Sequence, residues 1–189
     1  MNQRRAGGAW PFPGLDVLGG ILCGGLVLGG YGLQWFAGME PCPFCLLERY
    51  LLIALAVAFA LLAWARPRGW AHGAAGTLLL LPAGTGLAAT IYHMRIQSGE
   101  VVSSCGEPTA NPALNQGLSI APQGPEPSWW EAWLPQSHSS CAQPDLFLGV
   151  NLVVWALAAF AALGGIGVLA HFGAMLRARL DSRRSGGFL

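Results

Sequence analysis

Pro41-Cys42-Pro43-Phe44-Cys45-Leu46-Leu47-Glu48-Arg49 is a short turn that runs straight into an apolar segment ending near Ala65. Two cysteines three residues apart stand at the entrance, and the run's only charges, Glu48 and Arg49, lie one turn inside it. A helix of about 20 apolar residues crosses roughly 30 Å of hydrocarbon, more than a soluble helix needs. The other apolar runs of the chain have the same character. Of its 189 residues 53% are hydrophobic and 10% charged, and every basic side chain other than histidine is an arginine. Four runs, at about 16–37, 45–65, 70–94 and 146–175, predict an all-α membrane protein. Its architecture is a four-transmembrane-helix bundle, one integral membrane domain over 1–189, with a single long extracytoplasmic loop at 95–145.

The first run follows Arg4 and Arg5 but is too long for a signal peptide, and no small-residue cleavage site precedes another mature start. It is rich in glycine, and Gly20-x-x-x-Gly24 and Gly25-x-x-x-Gly29 fit the small-residue pattern by which helices approach closely in lipid. Arg66-Pro67-Arg68-Gly69 ends the second run. Pro82 lies inside the third, where a proline kinks a membrane helix without ending it. The loop carries six prolines between Pro108 and Pro135. Within it, Ser128-Trp129-Trp130-Glu131-Ala132-Trp133-Leu134 reads either as a short helix at headgroup level or as a tryptophan cluster folding the loop on itself.

Four spans place both termini on one side. Arg4, Arg5, Arg66, Arg68, Arg177, Arg179, Arg183 and Arg184 then share that side, leaving Arg49 and Arg95 opposite. Arginine excess marks the cytoplasmic face. Cys42, Cys45, Cys105 and Cys141 therefore face the compartment in which disulfides persist. Cys23, in mid-span, reads as a small buried apolar residue.

Pro43 suits the first helical position, which leaves Cys45 in the first turn, where free N–H groups and the helix dipole favour a thiolate. Arg49, four residues on and on the same face, adds its charge. The bland reading is an arginine that snorkels to headgroups or pairs with Glu48 or Asp145. Four thiolates could also hold zinc, but an oxidising compartment favours disulfides, so no metal is expected. Cys105 and Cys141 would close a loop of about 35 residues, worth roughly 4 kcal/mol by loop entropy if it is a structural staple. In a mobile proline-rich loop the same bond is open to an incoming thiolate. Two pairs on one face then suggest a relay between a soluble partner and the helix-mouth pair.

These residues resemble the quinone-dependent DsbB family of bacterial inner-membrane proteins. The resemblance runs through Gln34, Pro41-Cys42-x-x-Cys45-x-x-Glu48-Arg49, His93-x-x-x-Gln97, Cys105, Trp133-Leu134-Pro135, Cys141-Ala142 and Asp145-x-Phe147-Leu148-Gly149. It implies an oxidase of a periplasmic thioredoxin-fold dithiol oxidase (DsbA-like), with ubiquinone or menaquinone as acceptor, the lipid bilayer as its environment and no nucleic-acid partner. By position, Cys105 would form the mixed disulfide with the partner and Cys141 would be its mate. Cys42 would exchange with the loop pair, and Cys45 would contact the quinone ring. Arg49 would stabilise the thiolate and quinone together, Gln34 would belong to the same cofactor site, and His93 would help hold the ring or a carbonyl. An apolar slot near Cys45, lined from helices 1, 2 and 3, is expected. The spacing from Cys105 to Cys141 and the proline-rich insert 108–127 depart from the family's pattern. A transmembrane thiol reductant carrier would want cysteines buried in the spans and facing both sides. A membrane protein with purely structural disulfides leaves Arg49 without a purpose.

Overall fold

A computed structural model describes residues 13–38, 41–101, 141 and 144–186. Three long helices come first: α1 (Pro13–Ala37), α2 (Pro43–Ala65) and α3 (Ala71–Gln97). The fourth span is composite. It consists of α4 (Leu152–Ala159), a π-helical turn (Phe160–Gly164) and α5 (Gly165–Gly186), continuous as one apolar stretch over Leu152–Arg184. All four spans are long and apolar enough to cross a membrane. Their outward faces agree with that solvent: Leu28, Trp35, Phe36, Trp64 and Leu169 are each more than 70% exposed, a ruinous surface in water and an ordinary one in lipid. Trp35 stands at one end of the bundle and Trp64 and Trp70 at the other, the positions favoured by indole rings at the two interfaces.

The helix boundaries follow from local chemistry. Cys42 caps α2 with an extended backbone, and Pro43 occupies the first turn, where no N–H is missed. Arg66 ends α2 in the left-handed conformation, its N–H bonding back to the Leu62 carbonyl. α3 continues through Pro82. The fourth helix starts at Leu152 and not at Leu146, because Leu146–Phe147 (β1) and Val150–Asn151 (β2) pair as a small antiparallel hairpin. Leu148 and Gly149 both have positive φ, the conformation a two-residue hairpin turn demands. Asn151 then caps α4 by accepting the Val153 N–H. The tryptophan segment 128–134, the insert 108–127 and Cys105 lie outside the described residues.

The core is built from large rings set on glycines. Phe59 sits between α1 and α5, where a Cβ at Gly19 or Gly167 would come within 2.9 Å of its ring. Phe160, in the π turn, packs on Gly86 of α3, and Gly164 packs on Ala83. The expected small-residue seam of α1 takes a different form. Gly20 makes only ordinary contact with α2, and Gly24, Gly25 and Gly29 have nothing within 4 Å of where a Cβ would be. Missing side chains at Gly25, Gly29 and Gly30 leave room for a cavity instead.

Candidate functional site: two cysteines between a cavity and a histidine

The cap of α2 sorts the two cysteines. Cys42 Sγ accepts the Cys45 backbone N–H at 3.2 Å, so the free amide at the helix N-terminus points at Cys42 and not, as the spacing suggested, at Cys45. The Cys42 thiol is held below its usual range by its hydrogen bond with the Cys45 side chain, against burial, with help from that backbone N–H. The two sulfurs are 2.7 Å apart, a pair ready to join.

Cys45 lines a cavity of about 530 Å³ together with Glu48, Arg49 and Leu52 of α2. The opposite wall comes from α1 (Gly25, Gly29, Gly30, Leu33) and from the fourth span (Val153, Trp155, Ala156), with Phe147 of the hairpin at its edge. α3 contributes none of the lining residues, so the slot is formed by helices 1, 2 and 4 in place of 1, 2 and 3. The reason lies in α3's packing, whose inward residues are spent on Phe160, Phe172 and the core around Leu79.

Arg49 is fixed to α1. Its guanidinium donates to Gln34 Oε1 at 2.8 Å and to the Gly30 carbonyl at 3.0 Å, and it lies over the Tyr31 ring at 5.0 Å. No salt bridge to Glu48 or Asp145 forms among the described residues. Gln34 thus enters the site as the partner that orients Arg49. The guanidinium stands beside an apolar cavity, where a polarisable or anionic group would be attracted.

Cys42, which does not line the cavity, is buried in a second cluster with Phe44, Ile96 and Cys141, against which Cys45 packs as well. Cys141 is fully buried and disulfide-bonded, whereas Cys23, Cys42 and Cys45 are free. His93 closes this side. Its Nε2 lies 3.6 Å from Cys42 Sγ, its Nδ1 lies 3.1 Å from Glu48 Oε1, and its ring stacks on Phe44. His93 therefore sits behind the cysteine pair and not on the cavity wall where the resemblance placed it. Cys42, Cys45 and His93 also bring a possible metal-donor set within 4.8 Å; joining the two sulfurs dissolves it.

A sequence model of "Disulfide bond formation protein DsbB" matches residues 15–170. The chain belongs to the DsbB family. A disulfide bond formation protein B of Alkalilimnicola ehrlichii is 34% identical over 149 residues, covering 77% of this chain and 84% of the relative. One from Neisseria meningitidis is 33% identical over 138 residues, covering 71% and 80%. Another, from Xanthomonas campestris, is 30% identical over 167 residues, covering 86% and 90%. No solved structure gives a significant match. With its four apolar spans, this DsbB-family chain is a multi-pass membrane oxidoreductase of disulfide formation.

Three residues of the site are not legible as such in the sequence. Glu48 reads there as a partner for Arg49 and as part of the resemblance, although a carboxylate within a span signals a buried polar contact. Gly30 was one glycine among many. Asn151, which donates to Gln97 Oε1 and so ties the start of α4 to the end of α3, carried no signal beyond its type.

Proposed function

We propose that the protein is a thiol oxidase that reoxidises a periplasmic thioredoxin-fold dithiol protein and passes the electrons to ubiquinone or menaquinone. The observation that carries this reading is the division of the Cys42–Cys45 pair. Cys45 lines an apolar cavity beside a fixed arginine, and Cys42, which does not line it, shares a buried cluster with the loop cysteine Cys141. A quinone head group fits that cavity by size and by character: the walls are mostly apolar, with Cys45, Glu48 and Arg49 at one end.

When bound, the quinone supplies an acceptor for two electrons and two protons. The protein's part is thiol exchange and placement. A thiolate of the partner attacks the loop disulfide at Cys105, releasing Cys141. The Cys141 thiolate attacks Cys42, breaking the Cys42–Cys45 bond and leaving the electron pair on Cys45. Arg49, held by Gln34 and the Gly30 carbonyl, stabilises negative charge where Cys45 meets the cavity. The partner's second thiolate breaks its mixed disulfide with Cys105, leaving the partner oxidised and Cys105 as a thiolate; this attacks Cys141, restores Cys105–Cys141 and frees Cys42. The arginine-rich ends of α2 and α5 support a bacterial inner-membrane orientation with cytoplasmic termini and periplasmic redox cysteines.

The test is quinone reduction by the purified protein, driven by reduced thioredoxin-fold dithiol proteins and followed by quinone absorbance. Cys42→Ser and Cys45→Ser should each abolish turnover while leaving membrane insertion intact. Full activity in either variant refutes the relay, and a cytoplasm-facing Cys105 in labelling experiments refutes the topology.

A further inference from the structure

We propose that His93, oriented by Glu48, is the proton acceptor and donor for the Cys42 sulfur, so that Cys42, His93 and Glu48 act as a buried cysteine–histidine–carboxylate triad. The inference rests on the thiol-exchange reading above and gives its middle step a residue for the proton.

The ring is held on both edges. Nδ1 lies 3.1 Å from Glu48 Oε1, and a carboxylate can only accept, so Nδ1 carries the proton and donates. On the other edge Gln97 Nε2 lies 3.5 Å from His93 Nε2. The Gln97 amide is set in that direction because its oxygen takes the Asn151 side-chain N–H. Nε2, on the edge away from Glu48, lies 3.6 Å from Cys42 Sγ and within reach of a sulfur hydrogen bond; it offers a lone pair as neutral imidazole and an N–H as imidazolium. Stacking on Phe44, with ring centroids 5.4 Å apart, fixes the plane of the ring, and the backbone of Cys141 hydrogen-bonds to it as well. His93 is 1% exposed and Glu48 6%. A buried imidazole–carboxylate pair in a membrane helix bundle costs desolvation, and proton transfer at an adjacent sulfur gives it a use.

The step balances without any further reagent. When the Cys105 thiolate attacks Cys141, the Cys105–Cys141 bond forms, the Cys141–Cys42 bond breaks and the electron pair leaves on Cys42. The protonated His93 gives its Nε2 proton to that sulfur. When Cys42 later rejoins Cys45, its thiol proton returns to Nε2, the Cys42–Cys45 bond forms, and the two electrons given up pass to the quinone of the proposed function. Cys42 is the recipient that the distances favour: its sulfur lies 3.6 Å from Nε2, and it shares a buried cluster with Cys141. His93 touches the reacting sulfur and is catalytic. Glu48 acts through His93 and is a positioning residue.

The titratable groups facing His93 are Cys42, Cys45 and Glu48 from α2 and its cap, and Cys141 from the loop. A measurement that leaves quinone and partner out isolates the triad. In the full-length, detergent-solubilised Cys45→Ala protein, the rate of iodoacetamide labelling at Cys42 is followed against pH by peptide mass spectrometry. Glu48→Gln should shift the labelling midpoint upward by about one pH unit, a tenfold change in thiolate fraction, with Glu48→Asp restoring part of it. His93→Gln should shift it at least as far. The sign is diagnostic. Glu48's own charge disfavours a thiolate at Cys42, so a carboxylate acting only through space would make Glu48→Gln label faster. Faster or unchanged labelling overturns the triad, as does an unchanged midpoint in His93→Gln. A wild-type protein that fails to reduce quinone rejects the proposed function and leaves this readout standing. An unaltered midpoint beside normal quinone turnover rejects the triad alone.

Discussion

Gly30→Ala is the sharpest test of how α1 serves the site. A Cβ at Gly30 would lie 3.2 Å from Arg49 Nε, 3.6 Å from Cζ and 3.7 Å from Nη2. Ordinary contact needs about 0.3 Å more, so the guanidinium must retreat from the α1 backbone. Its 3.0 Å bond to the Gly30 carbonyl then stretches toward about 3.3 Å, where a hydrogen bond has lost much of its strength. Hydrogen bonds to charged groups are worth about 1.5–3 kcal/mol, and a partial loss of about 1.4 kcal/mol is a tenfold change in affinity. The helix itself gains, since alanine exceeds glycine by up to about 1 kcal/mol in a helix interior. The expected variant is therefore at least as heat-stable as wild type, with KM for a short-chain quinone raised about tenfold and KM for the dithiol partner unchanged. Steady-state quinone reduction with each substrate varied in turn, beside a melting curve, measures all three. Gly24→Ala is the control, because nothing lies within 4 Å of its added methyl and it does not line the cavity. An unaltered quinone KM in Gly30→Ala, or an equal rise in both KM values, refutes the idea that this glycine sets the arginine.

Other outcomes follow from the same structure. Gly86→Ala drives a methyl into the Phe160 ring; overpacking of this kind costs about 1–3 kcal/mol, and Phe160→Leu in the same chain should recover most of the lost melting temperature. At the other end of the bundle His171 links Asp16 (3.1 Å) and His72 (3.1 Å), all three buried. Asp16→Ala should lower the melting temperature by an amount corresponding to about 1–2 kcal/mol, as interhelical polar contacts in membranes do, while quinone KM stays constant; a changed KM would contradict the separation of the two ends. The lowered Cys42 thiol pKa stabilises the folded reduced protein above the ordinary cysteine value near 8.5, and that contribution fades as pH falls through the folded value. Melting curves of reduced and oxidised protein should accordingly draw apart with falling pH, the reduced form losing ground. Curves that stay parallel from pH 5 to 9 would contradict it.

What could be read from the sequence was whatever neighbouring positions decide. Apolar run length set the four spans, Pro43 set the start of α2, and the four-residue step from Cys45 to Arg49 placed both on one face and, as found, on one cavity wall. Contacts between distant positions were not legible. Glu48 with His93, Asp16 with His171 and Gly30 with Arg49 all depend on how each helix is rotated about its axis. In these spans apolar side chains run around the whole circumference, so no stripe announces which face turns inward. The same ambiguity exchanged α3 for α4 as the third wall of the cavity. The hairpin at Leu146–Asn151 was hidden by its own apolar residues, which read as a continuation of the fourth run until Leu148 and Gly149 are seen with positive φ.

The π turn at Phe160–Gly164 has a consequence for how this span can change. A π turn holds one residue more than the α-helical turn it replaces, and each residue in a helix advances the side chains by about 100°. Upstream of it, Val153 and Ala156 look into the cavity; downstream, Gly167 and His171 meet Phe59 and Asp16. The inserted residue is the phase offset that lets one helix satisfy both neighbourhoods. Deleting a single alanine from Ala161-Ala162 would give a more regular helix and a worse protein, with one half or the other turned out toward lipid. Length variation in this span is therefore confined to its two ends, and a restoring insertion should rescue the deletion only when made within the same turn.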